Sequence, residues 1–199
     1  MYVLIIKREK KNVPSLEAAA VAINITGVWL TARRNMMCWP VGMVGVILYL
    51  RQFYLWHLYG DMLLQAIYCI ILGYGWYSWR TPKKAPKKQS HFHSLIPRNL
   101  RTQVVLTACI GLPVGWGFSH FTNDPQPYID SVLMCLSLLA SLWTTRKYME
   151  NWYLWIFVDF IYAWLFLYRT DFLTASLYTV FSLLAMYGVF TWKRDINTH

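Results

Sequence analysis

The sequence predicts an all-α polytopic membrane protein of seven transmembrane helices, laid out as three, one and three. Three observations predict it. Residues of the AVILMFWYC set fill 57% of the 199 positions and DEKR only 14%, where a soluble domain carries about a quarter charged. The charges sit in clumps (Lys7 to Lys11, Arg33–Arg34, Arg80 to Lys88, Arg146–Lys147, Lys193–Arg194), separated by apolar stretches of about 17–22 residues, enough to cross a bilayer core of about 30 Å. The chain also matches itself, without a gap, at an offset of 113 residues.

The spans follow in order. Residues 1–15 form a basic tail, too short in its apolar part and charged on the wrong side to be a secretory signal. Leu16–Thr31 opens just after Pro14, and Trp39–Trp56 holds Pro40 in its first turn, where the missing N–H does no harm. Asp61–Trp79 starts on a carboxylate, which suits a helix N-terminus. A basic loop, 81–101, leads to Thr102–Ser119, where Pro113 marks a kink. Ile129–Thr145, Asn151–Tyr168 and Asp171–Trp192 complete the set, with Asp171 again in a capping position. Trp and Tyr crowd several ends, as interface anchors do.

The first, third and fifth connections plus the C-terminal tail hold 13 of the 19 Lys and Arg; the other side holds 6. The positive-inside rule therefore sets the N-terminus outside and the C-terminus in the cytoplasm.

The self-match lays 16–80 on 129–193, with ten of 65 positions identical. The landmarks carry more than the identities. An acid opens each first span (Glu17, Asp130), basics close it (Arg33–Arg34, Arg146–Lys147), Trp opens the second (Trp39, Trp152), and Trp plus a basic residue ends the third (Trp79–Arg80, Trp192–Lys193). Each unit has three spans, so the extra span at 102–119 restores a common orientation. The result is a pair of parallel repeats about an axis along the membrane normal, whose interface is where transporters hold their solutes.

The sharpest local feature runs from Asn151 through Trp152 and Trp155 to Asp159. Residues 152, 155 and 159 share a helix face, so two indoles and a carboxylate line up inside a span. A carboxylate at membrane depth is costly and faces the bundle interior. Together they suit a flat cationic ring, held by stacking, cation–π attraction and charge. The bland alternative is an interface anchor and a carboxylate satisfied by a neighbour. Opposite Trp155 and Asp159 in the first unit stand Gly42 and Val46. Gly42-x-x-Gly45 suits close helix approach or room for a ligand. Gln65 and Tyr178, also partners at the offset, are candidate ligand contacts at membrane depth.

Other chemistry is not supported. Cys38, Cys69, Cys109 and Cys135 are too scattered for a C-x-x-C site and read as small apolar residues. His91 and His93 flank Phe92 among lysines, a weak metal signal, so no metal and no cofactor is expected. Nucleophile-elbow, phosphate-loop and zinc-protease motifs do not occur, which gives no support to an enzyme. The net charge of +10 is concentrated beside a span, so the partner it implies is the lipid bilayer rather than nucleic acid.

Stretches in both halves resemble the PnuC family of vitamin-precursor transporters. In the first half these are Asn35-Met36-Met37-Cys38-Trp39-Pro40-Val41-Gly42, Leu58-Tyr59-Gly60-Asp61 with Leu64-Gln65, and Tyr74-Gly75-Trp76-Tyr77-Ser78-Trp79. In the second half Arg146 to Trp155 is similar to that family's W-x-x-W signature. The resemblance implies a seven-helix fold like the SWEET sugar transporters and a place in the bacterial inner membrane. It also implies facilitated diffusion of nicotinamide riboside, trapped inside by a kinase. With it, the expected substrate-binding set is Trp152, Trp155, Asp159, Gln65, Tyr178, Asn151 and Trp39. Nicotinamide riboside carriers of that family often have Asn where Asp159 stands, and relatives that carry thiamine share the scaffold. Both solutes contain a flat cationic ring, so the cage leaves the two open; a receptor or membrane enzyme is the reading from another class. Homo-oligomerisation is left open as well.

The orientation has a direct test. A reporter that fluoresces only in the cytoplasm should light up when fused to the C-terminus and stay dark when fused after Asn123. The opposite pattern would mean that Lys7 to Lys11 govern insertion.

Overall fold

The computed structural model describes residues 14–55, 59–81, 97–122, 126–168 and 170–197. Seven helices fill them: α1 (Pro14–Ala32), α2 (Cys38–Leu55), α3 (Tyr59–Arg80), α4 (Pro97–Phe121), α5 (Pro127–Thr145), α6 (Glu150–Tyr168) and α7 (Phe172–Asn197). The fold class is all-α, as expected. Helices α4 and α7 run past their apolar stretches, into Arg98–Arg101 and Lys193–Asn197. Apolarity marks only the part a bilayer would cover, whereas the helix continues while its backbone bonds can be made. By length and composition α4, α5 and α7 are each apolar enough to cross a membrane. His91, His93, the side chain of Asp61 and most of the basic loop lie outside the described residues.

Six of the helices form a closed ring. Helix α2 packs between α1 and α3, α6 packs between α5 and α7, and the seams α3·α5 and α1·α7 join the two triplets. Exchanging α1 with α5, α2 with α6 and α3 with α7 leaves this contact pattern unchanged. Among the described residues, helix α4 stands outside it and packs on α5 alone. The outward faces are apolar, with Leu106, Ile110, Phe157, Phe160, Trp164, Leu183 and Phe190 all exposed. So much apolar surface requires a covering medium, which for helices of this length is lipid.

The helix ends are built by local rules. Helix α1 stops in a Schellman turn: Asn35 N–H bonds Leu30 O, Arg34 N–H bonds Thr31 O, and Arg34 takes the left-handed φ of 59°. Helix α5 stops identically through Tyr148 to Trp143 and Lys147 to Thr144, with Lys147 also at 59°. A third such turn closes α6 at Thr170. Asp171 then caps α7, its Oδ1 accepting from the Thr174 N–H at 3.3 Å. Pro113 sits within a helix that continues through it.

Small residues set the helix spacing. Gly42 faces Leu72 of α3, and Gly45 faces Ile23 and Asn24 of α1, so this pair lets α2 nestle between its neighbours. On α4, Gly111 and Gly115 lie against the backbone of Val132 and Tyr128, and Ser131 Oγ–H donates to Gly111 O at 2.8 Å. This small-x-x-x-small stripe is how helices approach closely in lipid.

A Cβ at Gly115 would fall 2.6 Å from Ser131 Oγ and 2.9 Å from Tyr128 Cα, whereas one at Gly117 would meet nothing within 4 Å. Gly115→Ala should therefore destabilise the protein by about 1–3 kcal/mol through overpacking. Gly117→Ala, on the same helix, should be neutral or stabilising by up to about 1 kcal/mol. Thermal melts in detergent would separate the two; equal melting points would show the α4·α5 contact to be loose.

Candidate functional site

The sequence places Trp at the start of α2 and α6 and at the end of α3 and α7, and the ring brings all four together. Trp39 meets Trp79 edge-on at 5.3 Å, and Trp152 meets Trp192 edge-on at 5.3 Å. Trp79 and Trp192 then touch each other across the ring at 6.1 Å. Trp39 lies flat over Gly75, and Trp152 over Gly188, in space that a Cβ would occupy. The indole N–H of Trp79 donates to Thr144 O at 3.2 Å, and that of Trp192 to Thr31 O at 3.3 Å. One residue earlier, Ser78 Oγ–H donates to Thr145 O at 3.1 Å. Thr191 Oγ1 reaches Ala32 O at 2.9 Å, a reach it shares with carbonyls one turn back on its own helix. Each contact has its counterpart 113 residues away. Lys147 sits over the Trp79 ring at 5.5 Å, so this end of the bundle is the basic one.

Farther into the ring the character changes from aromatic to polar. Asp159 is 5% exposed on α6 and Gln65 fully buried on α3. Tyr68 of α3 is within electrostatic range of Asp159, and Tyr178 of α7 within range of Asp159, Tyr68, Tyr49 and Asp130. Tyr68 and Tyr178 are half-buried. Tyr178 is held by stacking on Tyr162 at 4.8 Å and on Phe166 at 5.6 Å. Asp130, 1% exposed in the first turn of α5, adds a second carboxylate. Four helices thus aim polar groups at one interior region, and the stacked rings fix their positions.

Residues 15–194 match the family described as nicotinamide mononucleotide transporter. The chain belongs to that family. It is a multi-pass membrane transporter, not an enzyme. It is 25% identical over 204 residues to a nicotinamide riboside transporter PnuC of Escherichia coli K12, covering 89% of this chain and 84% of that one. A PnuC of Neisseria mucosa is 24% identical over 195 residues, covering 92% and 74%. The riboflavin/roseoflavin transporter RibM of Streptomyces davaonensis is 25% identical over 176 residues, covering 85% and 81%. The fold is that of a solved structure titled as the vitamin B3 transporter PnuC: TM-score 0.70, 22% identity, all of this chain and 87% of that one.

Within this transporter the expected site residues fall at two levels. Trp39, Asn151 and Trp152 are buried in or beside the Trp cluster at the basic end. Trp155, half-buried, packs against the apolar clusters on both sides of it. Asp159 stands seven residues beyond Trp152, about 10 Å along the helix, with Gln65 and Tyr178 among the polar groups. The line Trp152–Trp155–Asp159 is therefore a ladder along the ring interior rather than one closed cage. The indole N–H groups of Trp39 and Trp152 are buried with no acceptor among the described residues. Asn151 donates its amide to Tyr148 O, while its Oδ1 is buried without a donor. Sequence reading missed Tyr68 and took Asp130 only as the acid opening a span. Tyr68 follows Gln65 by three residues and shares its face, a spacing that would have found it. Asp130 carried no such signal.

Proposed function

We propose that this transporter carries nicotinamide riboside across the bacterial inner membrane by facilitated diffusion, with an intracellular kinase trapping the solute by phosphorylation. The observation that carries the reading is the buried mixed cluster of Asp159, Gln65, Tyr68 and Tyr178 at the far end of an indole ladder. Nicotinamide riboside pairs a flat, delocalised cation with a ring of hydroxyls. The indoles and Tyr178 offer faces to the cation, Asp159 supplies opposite charge, and the amide and phenols suit hydroxyl and carboxamide groups. Trp39 and Trp152 offer buried N–H donors to its oxygens, since unpaired buried donors are unfavourable. The names of the Escherichia coli and Neisseria mucosa relatives support this choice.

The two three-helix units, 16–80 and 129–193, act as pseudo-symmetric halves around the solute, with 102–119 as the linker that keeps them parallel. The basic end faces the cytoplasm by the charge count. The relative named for riboflavin supports a second reading within the same scaffold. Riboflavin is neutral, however, and gives a buried carboxylate nothing to neutralise, which favours a cationic ring here.

Calorimetry in detergent with nicotinamide riboside, thiamine and riboflavin tests the assignment. Wild type should bind nicotinamide riboside most tightly. Trp155→Ala should weaken it by about 1–3 kcal/mol, the range for loss of an aromatic stacking face. Asp159→Asn should weaken it about five- to tenfold, because an amide keeps the hydrogen bond and loses only a charge facing a delocalised cation. Tighter binding of riboflavin or thiamine than of nicotinamide riboside would overturn the solute. Uptake into proteoliposomes should end when concentrations equalise; a requirement for a proton or sodium gradient would overturn facilitated diffusion.

A further inference from the structure

The ring has two seams, and at the basic end both are closed by the same device. At α3·α5, Trp79 and Ser78 donate to Thr144 O and Thr145 O; at α1·α7, Trp192 and Thr191 donate to Thr31 O and Ala32 O. The acceptors are carbonyls of a last helical turn, beyond the reach of the i to i−4 ladder. Thr31 O and Thr144 O also accept the Arg34 and Lys147 N–H groups of their Schellman turns. When a seam parts, neither of these carbonyls loses its last donor. Such bonds can be exchanged for water at the membrane surface and remade, unlike the ladder of a helix interior.

Between the seams the four indoles fill the ring. Trp192 is fully buried, Trp152 2% exposed, Trp39 4% exposed and Trp79 half-buried, and the Trp79 and Trp192 ring centroids lie 6.1 Å apart. The polar cluster around Asp159 lies behind them. A solute leaving that cluster toward the basic end meets these packed indoles.

We propose that Trp79 and Trp192, latched by their own indole N–H groups and by Ser78 and Thr191, form the gate of the transporter at its basic end, and that both seams open together. Each indole is at once the plug and the bolt: the ring that blocks the path carries the N–H that holds the seam. Trp39 and Trp152 are the walls against which the two rings close. The inference rests on the chain being a transporter and not on which solute it carries.

Native Cys38 provides a reporter, being 5% exposed at the start of α2, where its N–H bonds Asn35 O of the Schellman turn that ends α1 beside the α1·α7 seam. The test uses full-length protein in proteoliposomes with Cys69, Cys109 and Cys135 replaced by Ala, and N-ethylmaleimide as the probe of Cys38. Trp192→Phe with Thr191→Val removes the near latch, and labelling should rise about tenfold, the population shift expected from losing two modest hydrogen bonds. Trp79→Phe with Ser78→Ala removes the far latch and should raise labelling of the same cysteine comparably. If only the near pair acts, the seam is loosened locally and there is no joint gate; if neither acts, there is no latch. A second arm places Cys at 79 and 192 in a protein whose four native cysteines are Ala, and bridges them with a short reducible bis-thiol reagent. Bridging should stop nicotinamide riboside uptake while calorimetric binding persists, and reduction should restore uptake. Uptake that continues through the bridge overturns the gate. Absence of uptake in unmodified wild type would overturn the solute alone, since Cys38 labelling reads the gate without it.

Discussion

A helix that ends near a membrane surface leaves its last carbonyls without donors, and the way α1 and α5 resolve this sets the rest of the structure. Each offers those carbonyls to the end of a helix from the other triplet, Trp192 for α1 and Trp79 for α5. The bond fixes which helices are neighbours across the seams. It also draws two indoles inward until they touch, which leaves room for Trp39 and Trp152 only where α3 and α7 lack a side chain, at Gly75 and Gly188. The glycines, the indoles and the Schellman turns are parts of a single arrangement.

On that near-symmetric frame the interior is not symmetric. Gln65 stands opposite Tyr178, Tyr68 opposite Phe181, and Val46 opposite Asp159. The frame repeats where backbone must meet backbone and diverges where side chains face the interior. A small solute with one charged and one hydroxyl-rich end has no symmetry of its own, and a lining of two unlike halves gives it a single preferred orientation. Aromatic stacks hold both halves in similar fashion, Tyr49 on Phe53 at 6.0 Å and Tyr162 on Phe166 at 6.4 Å. The two halves thus share these aromatic stacks while the polar groups of the interior differ between them.

Much of the fold was legible because lipid imposes a blunt rule. Apolar length and charge clumps located all seven helices, and the errors lay at ends such as Pro97 and Asn197, where helix continues in polar sequence. Paired landmarks such as Trp79 and Trp192 pointed to positions that matter, but not to their partners: a backbone carbonyl leaves no trace in sequence. The depth of Asp159 was visible from its place within a span. Its neighbours from other helices were not, since Tyr68 and Tyr178 come within electrostatic range of it only through the closing of the ring. Spacing on one helix suggested a compact cage, whereas Trp152, in the first turn of α6, packs on Trp192, a residue 40 positions later, and Asp159 lies two turns farther in.

The α1·α7 seam joins residues 161 apart, Trp192 to Thr31. Contacts between successive helices, such as α2·α3, α4·α5 and α6·α7, can form as each helix leaves the ribosome. This seam cannot, because α1 is made first and α7 last. The first helix must wait in the bilayer through nearly the whole of synthesis, its end carbonyls served only by water and its own turn. Closing the ring therefore needs α7, and α1 to α6 alone leave one side of the ring open.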